Sequence, residues 1–309
     1  MSIVIERISA KEIFKNLEKK IMITTITNIS IGYDVISANS DVISEIENIV
    51  SPEVIGYSPL DIEFIDSVVS SLNLSPSVCM GVSISIGRAA ANALDIPFYK
   101  FLGGAITIDL PTVASAILKD KNNIEIFPII NAESVEEIIE FYQKIINKLK
   151  DYGDLCLDGA YRCNDVFEEL PKIREYIDEL KEDEDLDVLL GISGKKDILK
   201  DKDLSLVDYL EVDETLDFDG FICTNEVYED VDFVKVNPYD IGSLTDLCYY
   251  SNYISDKGLS PIFEGNNSTI AHLAISCNSP FIRCNLSSNV LNEIWNIERN
   301  LINPNIRRF

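Results

Sequence analysis

The sequence predicts an α/β protein in two parts: an α+β segment over residues 1–107, then a compact (β/α)8 barrel over residues 108–309. Two observations carry this. The first hundred residues hold two or three strand-like runs followed by helical stretches. From Ile108 onward, short apolar runs alternate with amphipathic helical stretches, the pattern of a parallel sheet covered by helices. About eight such units in about 200 residues approach the lower size limit of that barrel. An open doubly wound sheet is the alternative, weakened because no strand run leads into G-x-G-x-x-G or a P-loop.

In chain order, the N-terminus Met1-Ser2-Ile3-Val4-Ile5-Glu6-Arg7 reads as a strand. Ile21 to Ile31, rich in Ile and Thr, reads as a second, and Gly32-Tyr33-Asp34 is expected to turn the chain. Asp41 to Val50 places Val42, Ile43, Ile46, Ile49 and Val50 at helical spacing. A second helix is expected from about Pro59 to Leu72, with Ile62, Ile65, Val68 and Val69 on one face. A third runs from about Ser77 to Leu94. Its Gly81, Ser83, Ser85, Gly87, Ala89, Ala90 and Ala91 are small enough to admit a neighbouring backbone.

After a boundary near residues 103–110, strands are expected at Leu110–Ala116, Glu125–Ile130, Leu155–Asp158, Asp187–Ile192, Tyr209–Val212, Phe221–Thr224, Val231–Asn237, Leu259–Phe263 and Pro280–Cys284. Helices fall between most of them, among them Ser134–Lys150 and Val166–Leu180.

Composition narrows the function classes. With 26 basic and 52 acidic residues the formal charge is −26, a surface that repels phosphate backbones, so no nucleic-acid partner is expected. No uncharged apolar run approaches about 18 residues, so no membrane partner is expected either. The N-terminus lacks the basic and apolar regions of a signal peptide, and a cytoplasmic location is expected. Seven cysteines, an odd number without a C-x-x-C pair, fit a reducing compartment better than a disulfide framework or zinc knuckle. Cys156/Cys163 and Cys277/Cys284, each seven apart, read as small buried apolar residues. His272 is the single histidine, which excludes a histidine pair or three-histidine metal site within one chain.

Several segments carry a resemblance in the same order along the chain. Val50-Ser51-Pro52-Glu53-Val54-Ile55-Gly56 is followed by Cys79-Met80-Gly81-Val82-Ser83-Ile84-Ser85-Ile86-Gly87-Arg88-Ala89-Ala90-Ala91, then Pro97-Phe98-Tyr99 and Leu110-Pro111. Further on come Val234-Lys235-Val236-Asn237 with Asp240-Ile241-Gly242-Ser243-Leu244-Thr245-Asp246, then Ser268-Thr269-Ile270-Ala271-His272-Leu273-Ala274, then Asn292-Glu293-Ile294-Trp295. Together they resemble the enolase family across about two-thirds of the chain.

The resemblance implies an enolase-type (β/α)8 barrel behind an N-terminal α+β cap, with the active site at the C-terminal strand ends. Enolase chemistry removes a proton from a carbon beside a carboxylate, with divalent cations stabilising the dianion and a lysine taking the proton. By this resemblance Lys235 matches the catalytic lysine and Glu211 one of three magnesium carboxylates. Arg283 stands in place of a second lysine, and Asp158 would be a shorter substitute for the acid glutamate. The other two metal positions fall near Gly191, which cannot ligate, and near Cys223-Thr224-Asn225. The mobile loop of the cap and the S-H-R-S-G-E strand end have no clear counterpart; Ser260-Pro261-Ile262-Phe263-Glu264-Gly265 stands at the latter.

The resulting expectation is a degenerate, enolase-like paralogue without phosphopyruvate hydratase activity. It would act by binding, as a homodimer or as a partner subunit, without a cofactor. The alternative is an active lyase or isomerase of the enolase superfamily, with Lys235 as base, Mg2+ as cofactor and a small anionic carboxylate as ligand. Each residue also has a plainer reading. Lys235 and Glu211 can pair to satisfy their charges, Arg283 can be a salt-bridge partner, Asp158-Gly159 is a common turn, and His272 can be a helix-face residue.

Overall fold

The computed structural model describes residues 2–15, 18–104 and 109–308. The chain begins with β1 (Ile5–Lys15), β2 (Glu18–Thr27) and β3 (Ile31–Ile36), then α1 (Asp41–Glu45), α2 (Ser51–Val54), α3 (Ile62–Ser70), α4 (Pro76–Ala93) and α5 (Phe98–Gly103). Next come β4 (Asp109–Leu110), β5 (Thr112–Ala114), β6 (Leu118–Lys119), β7 (Glu125–Asn131), α6 (Val135–Lys148), β8 (Tyr161–Arg162), α7 (Val166–Glu184), β9 (Asp187–Ser193) and α8 (Lys196–Leu199). The rest comprises β10 (Tyr209–Glu211), β11 (Phe221–Thr224), β12 (Phe233–Val236), α9 (Pro238–Ile241), α10 (Leu244–Asp256), β13 (Ser260–Glu264), α11 (Thr269–Ser276), β14 (Phe281–Arg283), α12 (Val290–Arg299) and β15 (Asn305–Ile306). Among the described residues no helix is long and apolar enough to cross a membrane. The chain forms two compact units: Met1–Thr107 with Asn237–Tyr253, and Ile108–Val236 with Ile254–Phe309.

In the first unit, β1, β2 and β3 form an antiparallel meander. Period-two alternation on β2 buries Ile21, Ile23, Thr25 and Thr27 on one face. That face packs with Ile5, Ile8 and Ile36 against Val50, Val54, Ile65, Val69, Val78, Val82 and Ile86 from the helical segments. Gly32-Tyr33-Asp34 does not turn the chain, as its composition suggested, but lies inside β3. The reversal comes earlier, where Thr27 N donates to Ser30 O at 2.9 Å. Gly32 serves close approach instead: a Cβ there would stand 2.2 Å from both Ala89 N and Ser85 O of α4. The small residues of α4 have the same use, since a Cβ on Gly81 would stand 2.7 Å from Ile36 and 2.8 Å from Ile23. The helix expected over Asp41–Val50 divides into α1 and a wider turn over Ile46–Val50.

The segment Ser243-Leu244-Thr245-Asp246 has a structural role in this unit. The first amides of α10 have no partners within their own helix. Ser83 Oγ accepts from Leu244 N at 3.1 Å, Asp66 Oδ2 from Thr245 N at 3.0 Å, and Ser243 Oγ from Asp246 N at 3.0 Å. Asp66 also accepts from Thr245 Oγ1 at 2.6 Å. Burial pushes the Asp66 carboxyl above its ordinary value, with hydrogen bonds from Ser83 and Thr245 opposing.

The second unit is built on a curled ten-stranded sheet in the order β5-β14-β13-β12-β11-β10-β9-β7-β6-β8. From β5 through β14 to β9 every pairing is parallel. Strand β7 departs from the expected parallel pattern, running antiparallel to β9 from Glu125 opposite Ser193 to Asn131 opposite Asp187. The cause is chain length: residues 115–124 are too few for a helical crossover, and they hold β6, which pairs back on β7. The strand expected at Leu155–Asp158 is a turn. Leu155 makes a single bridge to Tyr161, and Gly159, at φ +95°, accommodates the reversal at Asp158.

On one side of this unit α6 and α7 bury apolar stripes, Ile138, Phe141 and Ile145 on the first and Leu170, Ile173 and Ile177 on the second. Inside the curl, Phe127, Tyr209, Phe233 and Phe281 form an aromatic layer with Ile129, Ile262 and Cys223. The Tyr209 ring stands 5.9, 5.6 and 5.4 Å from the rings of Phe127, Phe233 and Phe281.

Candidate functional site: a charged layer at the strand ends

Side chains two residues apart on a strand share a face. On four of the strands an interior apolar residue is therefore followed, one layer up, by a charged one. Tyr209 leads to Glu211, Phe233 to Lys235, Ile262 to Glu264 and Phe281 to Arg283, while antiparallel β7 places Glu125 before Phe127. The registers bring these residues to one end of the sheet: Glu125 lies opposite Ser193, Ser193 opposite Glu211, Glu264 opposite Arg283, and Arg283 opposite Ala114.

Glu211, 2% exposed, is the centre of the cluster. Arg283 Nε lies 2.9 Å from its Oε1, and Lys235 Nζ 3.6 Å from its Oε2. Both contacts are ion pairs, and that with Lys235 lies beyond hydrogen-bond distance. Arg283 also reaches Glu125 Oε2 at 3.0 Å and donates to Ala114 O at 2.8 Å, with its guanidinium 3.7 Å over the Phe127 ring. Lys235 reaches Glu264 Oε2 at 3.8 Å. Three carboxylates thus face two cations.

The titration behaviour follows from this crowding. Burial pushes the Glu211 carboxyl upward, but Arg283 and Lys235 more than offset it, and the net value falls below that of an ordinary glutamate. Glu211 raises Lys235, against desolvation, so the ammonium holds its proton. Burial pulls Arg283 down, and Glu211 and Glu125 more than restore it. At rest the lysine is a cation in an ion pair rather than a free amine.

Asp158 stands apart from this cluster. It pairs with Lys119, and its Oδ1 accepts from Ala160 N at 3.1 Å within its own turn. His272 Nε2 lies 3.0 Å from Glu293 Oε1. Asp213, near Glu211 in sequence, caps the amide of Lys196 at 2.8 Å. Two residues of the cluster were not singled out from sequence: Glu125, at the start of a strand, and Glu264. The signal was available in both, since each lies two positions from an interior apolar residue.

Magnesium needs several oxygen donors around one point, and the strand ends do not supply them. Both Glu211 oxygens face cations. At Gly191 a Cβ would stand 2.3 Å from the Phe127 ring, so that ring fills the space a ligating side chain would enter from β9. At the third position Cys223 is buried in the aromatic layer. Among the described residues no group of three Asp, Glu, His or Cys side chains could hold a metal ion.

Among proteins similar in sequence, enolases stand at a distance. The enolase of Methanothermobacter thermautotrophicus is 21% identical over 328 aligned residues, covering 79% of this chain and 79% of that enzyme. The enolase of Mycoplasma mobile is 28% identical over 125 residues, 35% of this chain and 27% of that enzyme. This is distant, partial homology to enolases. An uncharacterized protein of Methanocaldococcus jannaschii is far nearer: 57% identical over 312 residues, covering 100% of this chain and 99% of that protein. The chain belongs to one family with that protein. No family model matches the chain.

Proposed function

We propose that this chain is an enolase-like protein whose strand-end site has become a closed ion-pair network, without phosphopyruvate hydratase activity, and that it works by binding as a homodimer or partner subunit. Under this reading residues 1–107 are a cap and residues 108–309 an enolase-type barrel, with β5 meeting β7 to complete it. The observation that carries the proposal is the placement of Glu211 between Arg283 and Lys235 while Phe127 fills the space beside Gly191. A magnesium ion would have to displace two cations from Glu211, and of the three positions at which the resemblance expects a carboxylate only Glu211 carries one.

A second reading is favoured by one observation: the Lys235 side chain is 19% exposed and Glu264 beside it 50%, so solvent or a small carboxylate can approach the lysine. In that reading an active lyase or isomerase uses Lys235 as base, with Arg283 facing the anionic substrate. The lysine must first lose its proton, which Glu211 resists.

A calorimetric Mg2+ titration separates the two. The binding-protein reading expects no Mg2+ uptake that depends on Glu211, so wild type and Glu211→Gln should match. A Mg2+ site present in wild type and lost in Glu211→Gln supports the active reading and overturns the first.

A further inference from the structure

A cavity of about 420 Å³ opens at the other end of the sheet, at the N-terminal ends of β11 and β12. Phe221 and Phe233, the first residues of those strands, wall it with rings 5.8 Å apart. Phe233 also belongs to the aromatic layer, which separates this cavity from the charged layer two residues further along the strands. Arg307 and Arg308 line the cavity with Asn278 and Asp232.

The cavity thus brings two arginines together in a chain of net charge −26. Arg307 has a side chain only 22% exposed, yet its sole ion pair among the described residues is with Asp109 at 3.6 Å, and Asn278 Oδ1 accepts from it at 3.0 Å. Burial pulls its guanidinium below the ordinary arginine value, and Asp109 opposes this only in part. Arg174 and Arg283 differ, because carboxylates hold both above that value. A partly desolvated cation without full compensation favours an incoming anion. Arg308 pairs with Glu133 on the surface, where the side chains are 62% and 79% exposed, and such a pair is readily exchanged for another anion. Asp232 Oδ2 accepts from Ile222 N at 2.8 Å, which fixes that oxygen toward the strand backbone.

From these features we infer that the cavity binds a small organic anion, a carboxylate or phosphate on a flat apolar body, with the charge at Arg307 and Arg308 and the body against Phe221 and Phe233. Its volume is in the range of small-molecule sites, and planar bidentate recognition of carboxylate or phosphate suits the guanidinium group.

The full chain would be titrated calorimetrically, at low salt, with phenyl phosphate and with benzoate, and with inorganic phosphate as a control. One saturable site is expected at about 1 mM or tighter for at least one aromatic anion, and weaker binding of inorganic phosphate. The stronger of the two probes distinguishes a phosphate from a carboxylate ligand. Affinity should fall at least about tenfold in Arg307→Gln/Arg308→Gln. If that variant fails to fold, Arg308→Gln and Phe221→Ala, both at exposed positions, should each weaken binding. The inference is overturned if neither aromatic anion binds, if binding is unchanged in these variants, or if it is lost in Lys235→Ala, which would place the anion at the opposite strand ends.

Discussion

Removing the carboxylate at position 211 would leave Arg283 and Lys235 facing each other with no carboxylate between them. Breaking a buried pair by removing one partner costs about 3–5 kcal/mol, and Glu211→Gln should lose stability on that order in urea unfolding. The pH dependence has a definite sign. The folded Glu211 lies below its ordinary value of 4.5, so its contribution is complete above that value and is lost as pH falls through the folded pKa. Lys235 lies above its ordinary 10.5, so its contribution is complete below that value and is lost as pH rises through the folded pKa. Unfolding measured across pH should show the acid arm flattened in Glu211→Gln. An unchanged acid arm would mean that Glu211 is not held by these cations. At the same scale, Gly191→Asp alone should not restore a metal ligand. Its Cβ would stand 2.3 Å from the Phe127 ring, and overpacking of this kind costs about 1–3 kcal/mol. Phe127→Ala/Gly191→Asp should recover part of that loss, giving a favourable coupling in a double-mutant cycle. Strictly additive losses would contradict the contact.

Among the elements, α6 holds two strands together through one hydroxyl. Tyr142 Oη accepts from Ser115 N at 2.7 Å, beside β5, and can donate to Val113 O of β5 at 3.1 Å or Pro128 O of β7 at 3.3 Å. Tyr142→Phe would leave the buried Ser115 amide unsatisfied, a loss of about 1–3 kcal/mol, with earlier hydrogen exchange in residues 113–115. An unaffected amide at Ser115 would contradict this role. The elements also show what the sequence made legible. Alternation at Tyr209/Glu211, Phe233/Lys235 and Phe281/Arg283 locates the charged layer, because period two needs no tertiary information. The direction of β7 was not legible from its apolar run, which reads the same both ways; only the short 115–124 connection bears on it. Gly32 misled because composition cannot distinguish a glycine needed for a turn from one needed against a helix backbone. Asp158 accepts from Ala160 N within its own turn, the chemistry that the Asp158-Gly159 pair displays in the sequence.

At the scale of the molecule, the proposed reading is an enolase-like sheet whose strand-end charges pair with one another. Three carboxylates crowd two cations where the enolase reaction needs a metal-stabilised dianion and an available base. Loss of a single preorganised electrostatic contact typically lowers a rate about 100- to 1000-fold, and under the proposed reading several would be lost. The most direct test incubates the purified protein with 2-phosphoglycerate and excess Mg2+ while absorbance of phosphoenolpyruvate is followed. No turnover above the buffer rate is expected, in wild type and in Lys235→Ala alike. Magnesium-dependent turnover in wild type that disappears in Lys235→Ala would contradict it.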